Sequence, residues 1–264
     1  MYDVALTLNG KPVSNLGTSK VKVELDYTLK HGEESHQVVV YSWSDQAGTP
    51  KVLKNSRYDP AVKRIQFQPH QFGTFAAVHH GVTFTDLEGV EWAQESIEAL
   101  AAREAVSGIG GGQFHPEGKV TRAEFVTMLM NAFDLTRGEA KSMLKDVEPG
   151  SWYSAALASA QELGIVQGRE DGSFGIQEEI SRQDMAVMLY RVIRQLEGEL
   201  KQDGQSGAFA DEQELAEYAR EAVRFLKQAG IVDGMNEGRF APHEDSSRAQ
   251  AAVMIYRLYQ QLQL

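Results

Sequence analysis

Three short stretches decide how this chain folds: Thr121-Arg122-Ala123-Glu124, Ser181-Arg182-Gln183-Asp184 and Ser247-Arg248-Ala249-Gln250. Each sets a hydroxyl before an arginine and, three residues after the hydroxyl, a side chain able to accept a hydrogen bond. Thr121 with Glu124 and Ser247 with Gln250 have the spacing of a capping box, and Ser181 with Asp184 forms a shorter-armed version, so a helix is expected to start at each. Outward from these starts the same landmarks return three times. An aromatic stands thirty residues before each arginine (Trp92, Trp152, Tyr218), a glycine sixteen after the aromatic (Gly108, Gly168, Gly234) and a phenylalanine twenty-two after it (Phe114, Phe174, Phe240). Asp86, Asp146 and Asp211 precede the aromatics by six or seven residues. A register held through three copies marks an internal repeat of one supersecondary unit.

Each copy predicts two helices. The first carries an apolar stripe at helical spacing: Trp92, Ser96, Ile97, Leu100 and Ala101; then Trp152, Ala156, Leu157, Ala160 and Gln161; then Tyr218, Ala222, Val223, Leu226 and Lys227. A stripe of about three turns is what packing on a shared core requires. A glycine-containing turn follows, clearest in Gly164-Ile165-Val166-Gln167-Gly168 and Gly230-Ile231-Val232-Asp233-Gly234, and an extended piece leads through the recurrent Phe to the second helix.

The first eighty residues read differently. Alternation over Asp3 to Leu8, Val21 to Tyr27 and Arg64 to Gln68, with the β-branched and aromatic run Gln37 to Trp43, predicts short strands. Turn signals at Asn9-Gly10, Asp45 to Pro50 and Asp59-Pro60 separate them, and together they predict a small antiparallel β-sandwich. The fold class is therefore α+β and multidomain: a sandwich over 1–80, then a helical domain over 81–264 with repeats at 84–135, 144–196 and 209–260. Five of the seven histidines lie in the sandwich, but adjacent strand residues such as His79 and His80 point to opposite faces, so no metal and no cofactor is expected.

Charge narrows the function. Residues 1–80 carry nine Lys and Arg against seven Asp and Glu; the rest carry seventeen against thirty. Such a balance opposes nucleic-acid binding. No run of apolar residues is long enough to enter a membrane, and the opening MYDVALTLNG lacks the features of a signal peptide, so an export signal would stand upstream. No cysteine is present, which removes thiol catalysis and disulfides together. The glycines from Gly108 to Gly112 lack the strand and the Lys-Ser/Thr ending of a phosphate loop, and the acids around Asp171 and Glu178 miss calcium-loop spacing.

The arginines remain. At the first position of a capped helix, Arg122, Arg182 and Arg248 stand at the positive end of the helix dipole, where a cation is disfavoured by up to about 1 kcal/mol. Each therefore calls for an anion, either a ligand held with the free amides of the helix start or a neighbouring acid, with Asp86, Asp146 and Asp211 as candidates.

The Phe-x-Asp opening, the aromatic that starts the first helix, the Gly-Ile-Val-x-Gly turn and the Thr-Arg-Ala-Glu-like start of the second helix resemble three consecutive S-layer homology domains, over roughly the last 180 residues. The first eighty residues loosely resemble β-modules that precede such repeats in bacterial surface proteins. The resemblance implies a pseudo-threefold spindle of helix-turn-helix units around a central bundle. It implies non-covalent anchoring of an exported protein, with cargo domains upstream, to a pyruvylated cell-wall polysaccharide of Gram-positive bacteria. It also implies an extracellular location at the cell wall or S-layer. Carried over by position, the groove residues are Arg122, Arg182 and Arg248 and the turn residues Ser107, Gly108, Gln167, Gly168 and Gly234. Trp92 and Trp152 are candidates to stack on sugar faces, although their place on the stripe favours core packing. Where the copies depart from the family pattern, Leu144 replaces the opening Phe, Gln250 replaces the acid, and Asp233 beside Gly234 is expected to repel an anion. The expected order of the grooves is Arg122 first, Arg182 second and Arg248 last. The chief rival is a helical-repeat scaffold for another protein; a glycoside hydrolase has no acid pair that stands apart from the solvated ones.

Overall fold

The structure, a computed structural model, describes residues 1–9, 11–13, 21–43, 48–69, 71–138, 140–202, 204 and 207–262. Gly10 of the first expected turn, Asp45 to Ala47 of the second, and parts of the polar stretches Thr136 to Ser142 and Glu197 to Ala208 lie outside the described residues. Two compact units emerge: Met1–Phe84 with Glu98–Ser107, and Thr85–Ile97 with residues from Gly108 onward.

In the first unit β1 (Tyr2–Val4), β5 (Val38–Trp43), β6 (Lys51–Leu53) and β9 (Gly73–His79) form a sheet of order β1-β9-β5-β6. A second sheet has the order β4-β8-β7, from β4 (Val23–Asp26), β7 (Arg57–Asp59) and β8 (Arg64–Phe67), and β2 (Leu6–Leu8) pairs with β3 (Lys11–Val13). All of these pairings are antiparallel. Val38 and Val40, then Ile65 and Phe67, are alternate residues of β5 and β8, and they meet Leu25 and Phe75 in one core. This is the period of two that strand geometry imposes. Strand β9 hides from an alternation search because it lies inside the sheet, paired on both edges, and its Phe75 and Ala76 are both buried.

Three of the histidines here make local bonds: His79 accepts from the Glu34 amide, His36 meets Glu98 at 3.2 Å, and His80 Nδ1 lies 2.8 Å from the Ala102 carbonyl. Among the described residues no group of three His, Cys, Asp or Glu is placed to hold a metal ion.

The second unit holds the repeats. Their first helices are α1 (Glu91–Ala102, of which the residues to Ile97 belong here), α3 (Ser154–Glu162) and α5 (Glu217–Gln228); their second helices are α2 (Arg122–Ala132), α4 (Arg182–Gln195) and α6 (Arg248–Gln261). Helices α2, α4 and α6 touch pairwise, and Phe125, Leu129, Leu189, Ile255 and Leu258 on them are fully buried. Helix α3 packs on α2 and α5 on α4, so a first helix lies against the second helix of the preceding repeat.

Both capping boxes form, at Thr121 with Glu124 and Ser247 with Gln250, while Ser181 accepts only from the Asp184 amide. The shorter-armed box expected at Ser181 and Asp184 is thus only half formed. No helix is long and apolar enough to cross a membrane among the described residues.

Candidate functional site at the junctions between repeats

Each repeat fixes its own extended piece with its aspartate. Asp86 accepts from the amides of Phe114 and His115 at 2.8 and 2.7 Å, Asp146 from Phe174 and Gly175 at 2.8 and 2.7 Å, and Asp211 from Phe240 and Ala241 at 2.7 and 2.8 Å. The second residue of each pair has a left-handed backbone, with φ of 62°, 83° and 58° at His115, Gly175 and Ala241. The carboxylate thus holds a bend that only glycine adopts without cost. Burial pushes all three carboxyls up, but the bonds from backbone amides outweigh it and hold them below the usual aspartate range. These aspartates bond backbone of their own repeat; the acids that reach the motif arginines come from elsewhere.

The bend delivers the recurrent phenylalanine to the arginine of the preceding repeat. Arg122 lies over Phe174 at 4.5 Å, Arg182 over Phe240 at 5.0 Å and Arg248 over Phe114 at 4.7 Å. In each case Nε donates to the carbonyl of that same phenylalanine, at 2.9, 2.8 and 3.1 Å. The relation runs from first repeat to second, second to third, and third back to first.

The helix starts are not free. The amides of Arg122, Arg182 and Arg248 donate to the carbonyls of Glu178, Glu244 and Gly118, and those of Ala123, Gln183 and Ala249 to Ile176, Pro242 and Pro116. The third amide of each helix goes to the capping hydroxyl. Anion binding by open helix-start amides is therefore overturned, because the neighbouring repeat's carbonyls have taken them.

Around the guanidinium groups the three junctions differ. Arg122 Nη1 reaches Asp184 at 2.5 Å, and the other oxygen of Asp184 accepts from the Tyr218 hydroxyl at 2.8 Å. Burial and that bond push the Tyr218 phenol up to about 12. Arg248 Nη1 meets Glu124 at 3.5 Å. Arg182 shares its pocket with Gln250 instead, and among the described residues no carboxylate lies within ion-pair distance of it; its further bond is a 3.4 Å contact to the Asp233 carbonyl. Burial lowers the Arg182 pKa, with Glu244 and Asp211 opposing the shift from farther off.

Arg182 lines a pocket of about 220 Å³ with Trp92, Val232, Gly234, Gln250 and Met254. All three repeats contribute to it. Asp233, expected to repel an anion there, is met by Arg257 at 2.5 Å. Arg257 escaped the sequence reading, although Arg191 and Arg257 stand nine residues beyond the motif arginines of two copies.

Trp92 and Trp152 correct the expectation of core packing: they are 58 and 63 % exposed, and Tyr218 is 59 % exposed. The helices explain this. Trp92 is the second residue of α1 and Trp152 precedes α3, and the buried stripe runs instead through Ala93 and Ile97 or Ala156 and Leu157. Ser107, Gly108, Gln167, Gly168 and Gly234 are exposed. A Cβ at Gly168 would stand 2.8 Å from the Cδ2 methyl of Leu144, so a side chain there would require Leu144 to move.

The profile of the S-layer homology domain matches residues 83–126, 144–186 and 208–252, which together make half of the chain. The chain belongs to the S-layer homology family. Among relatives of this S-layer homology chain, an amylopullulanase of Thermoanaerobacterium thermosulfurigenes is 28% identical over 97% of the chain and 13% of its own length. An endoglucanase of Bacillus sp. strain KSM-635 is 30% identical over 66% of the chain and 18% of its own length. An S-layer protein of Bacillus thuringiensis subsp. finitimus is 28% identical over 66% of the chain and 21% of its own length. The chain thus spans about an eighth to a fifth of the curated relatives it matches. Its S-layer homology repeats are those of a cell-wall anchoring module of surface proteins.

Proposed function

We propose that this chain anchors a larger exported protein to the cell wall by holding an anionic, pyruvylated wall glycan in the grooves between its repeats. In this reading the repeats form a pseudo-threefold spindle around α2, α4 and α6 within the anchor at 81–264, and the sheets of residues 1–80 form a module of their own. The observation that carries the reading is the pocket that Arg182, with no carboxylate within ion-pair distance among the described residues, lines together with the exposed Trp92. A planar guanidinium can take a pyruvyl carboxylate with two parallel bonds, and an indole face is a platform for the apolar face of a sugar ring. An acidic surface gives such a ligand no long-range attraction, so recognition rests on these close contacts. The chain acts by binding, and it carries no chemistry for its cargo.

The test is co-sedimentation with purified walls that carry the pyruvylated polymer. Binding should fall about ten-fold or more in Arg182→Gln and in Trp92→Ala, each checked for an unchanged fold. Equal retention on walls stripped of the polymer would sink the proposal.

A further inference from the structure

The three junctions repeat the same arginine, phenylalanine and cap, but they differ at one position. That position is the third residue of the following repeat's second helix: Asp184, 2.5 Å from Arg122; Glu124, 3.5 Å from Arg248; and Gln250, which lines the same pocket as Arg182. We propose that this residue decides which groove takes an external anion: Asp184 and Glu124 occupy Arg122 and Arg248 as internal ion pairs, and Gln250 leaves Arg182 open. The inference rests on the glycan reading above and reverses the order expected from family likeness, placing the Arg182 groove first.

An internal carboxylate competes at the high effective concentration of a tethered group, so an incoming carboxylate must displace it before it can bind. At Arg122 the plug is doubly held, since Tyr218 donates to the oxygen of Asp184 that the guanidinium does not use. Trp92 has no hydroxyl with which to tie its groove in the same way. Gln250 meanwhile spends its side-chain oxygen on the Ser247 amide at 3.0 Å, completing its own cap. Arg182 is 6 % exposed, so its charge is directed at the pocket it lines rather than dissipated in solvent. The one acid of that pocket, Asp233, is already paired with Arg257.

The experiment is calorimetric titration of the whole chain with a methyl hexopyranoside carrying a 4,6-O-pyruvate ketal, with the unketalised glycoside as control. The wild-type chain should bind one equivalent. Gln250→Glu keeps the capping geometry, as Glu124 does in α2, and should weaken binding about ten- to a hundred-fold, the range of one charge-assisted bond. Asp184→Asn should open a second site and raise the stoichiometry to two. Three equal sites in the wild-type chain, or wild-type affinity in Gln250→Glu, would overturn the inference while leaving the glycan reading intact. No binding of the ketal by the wild-type chain, together with no retention on pyruvylated walls, would overturn both.

Discussion

Arg248 of the third repeat lies 4.7 Å over the ring of Phe114 of the first, and its Nε donates to the Phe114 carbonyl at 3.1 Å. These two residues are 134 positions apart, and they close a relation that the other two arginines make with the next repeat along. An open stack of helix pairs has no such return contact, because each repeat meets only its neighbours in sequence.

Closure makes the repeats interdependent. Removing residues 208–264 takes Phe240 from under Arg182 and Arg248 from over Phe114 at once. The truncated chain should lose the cooperative thermal unfolding of its repeats, seen by calorimetry, whereas an open scaffold would keep most of it. Sharp unfolding of the first two repeats alone would contradict the closed arrangement.

Phe114 is fully buried and serves both as a core side chain and as the platform for Arg248. Phe114→Ala should cost about 3–5 kcal/mol in chemical denaturation. Trp92→Ala, at an exposed site, should change stability by no more than about 0.5 kcal/mol, which makes it the cleaner probe of binding.

The aspartate clamps carry a pH signature. Their folded pKa values lie below the unfolded one, so their contribution is complete above the ordinary carboxylate value near about 4 and is lost as pH falls through the folded values. Denaturation midpoints should stay level from neutral pH to about 5 and then drop, and the drop should shrink in Asp211→Asn. That variant, which weakens two amide bonds to a buried carboxylate, should itself lose about 2 kcal/mol or more at pH 7.

Glu104 has a left-handed backbone, φ 54°, where the aligned residues of the other copies are Gly164 and Gly230 at 69° and 68°. Glu104→Gly should stabilise the chain by about 1 kcal/mol, since a side chain in that conformation costs about 1–2 kcal/mol. A lower melting temperature in the variant would show that the exposed Glu104 side chain makes a compensating contact.

Much of this protein was legible from spacing alone. The hydroxyl, arginine and acceptor at each second helix fix where that helix begins, because a cap is local chemistry within four residues. The glycine, phenylalanine and aspartate mark the bend before it. What the spacing leaves open is where each side chain goes. Trp92 and Trp152 share an apolar period with Ile97 and Leu157, yet they fall at the helix starts, and burial is decided by the neighbour that arrives rather than by the period. The helix-start amides look available in one repeat and are consumed by the carbonyls of another.

The sequence by itself determined that there are three copies of one unit, that each second helix is capped, and that each begins with a cation at the unfavourable end of its dipole. The tertiary structure alone decided what meets that cation. Arginine and partner come from different repeats, so Asp184 meets Arg122 and Glu124 meets Arg248 only when the repeats pack together. Electrostatic pairing acts over a few ångströms in space, and no local pattern records it.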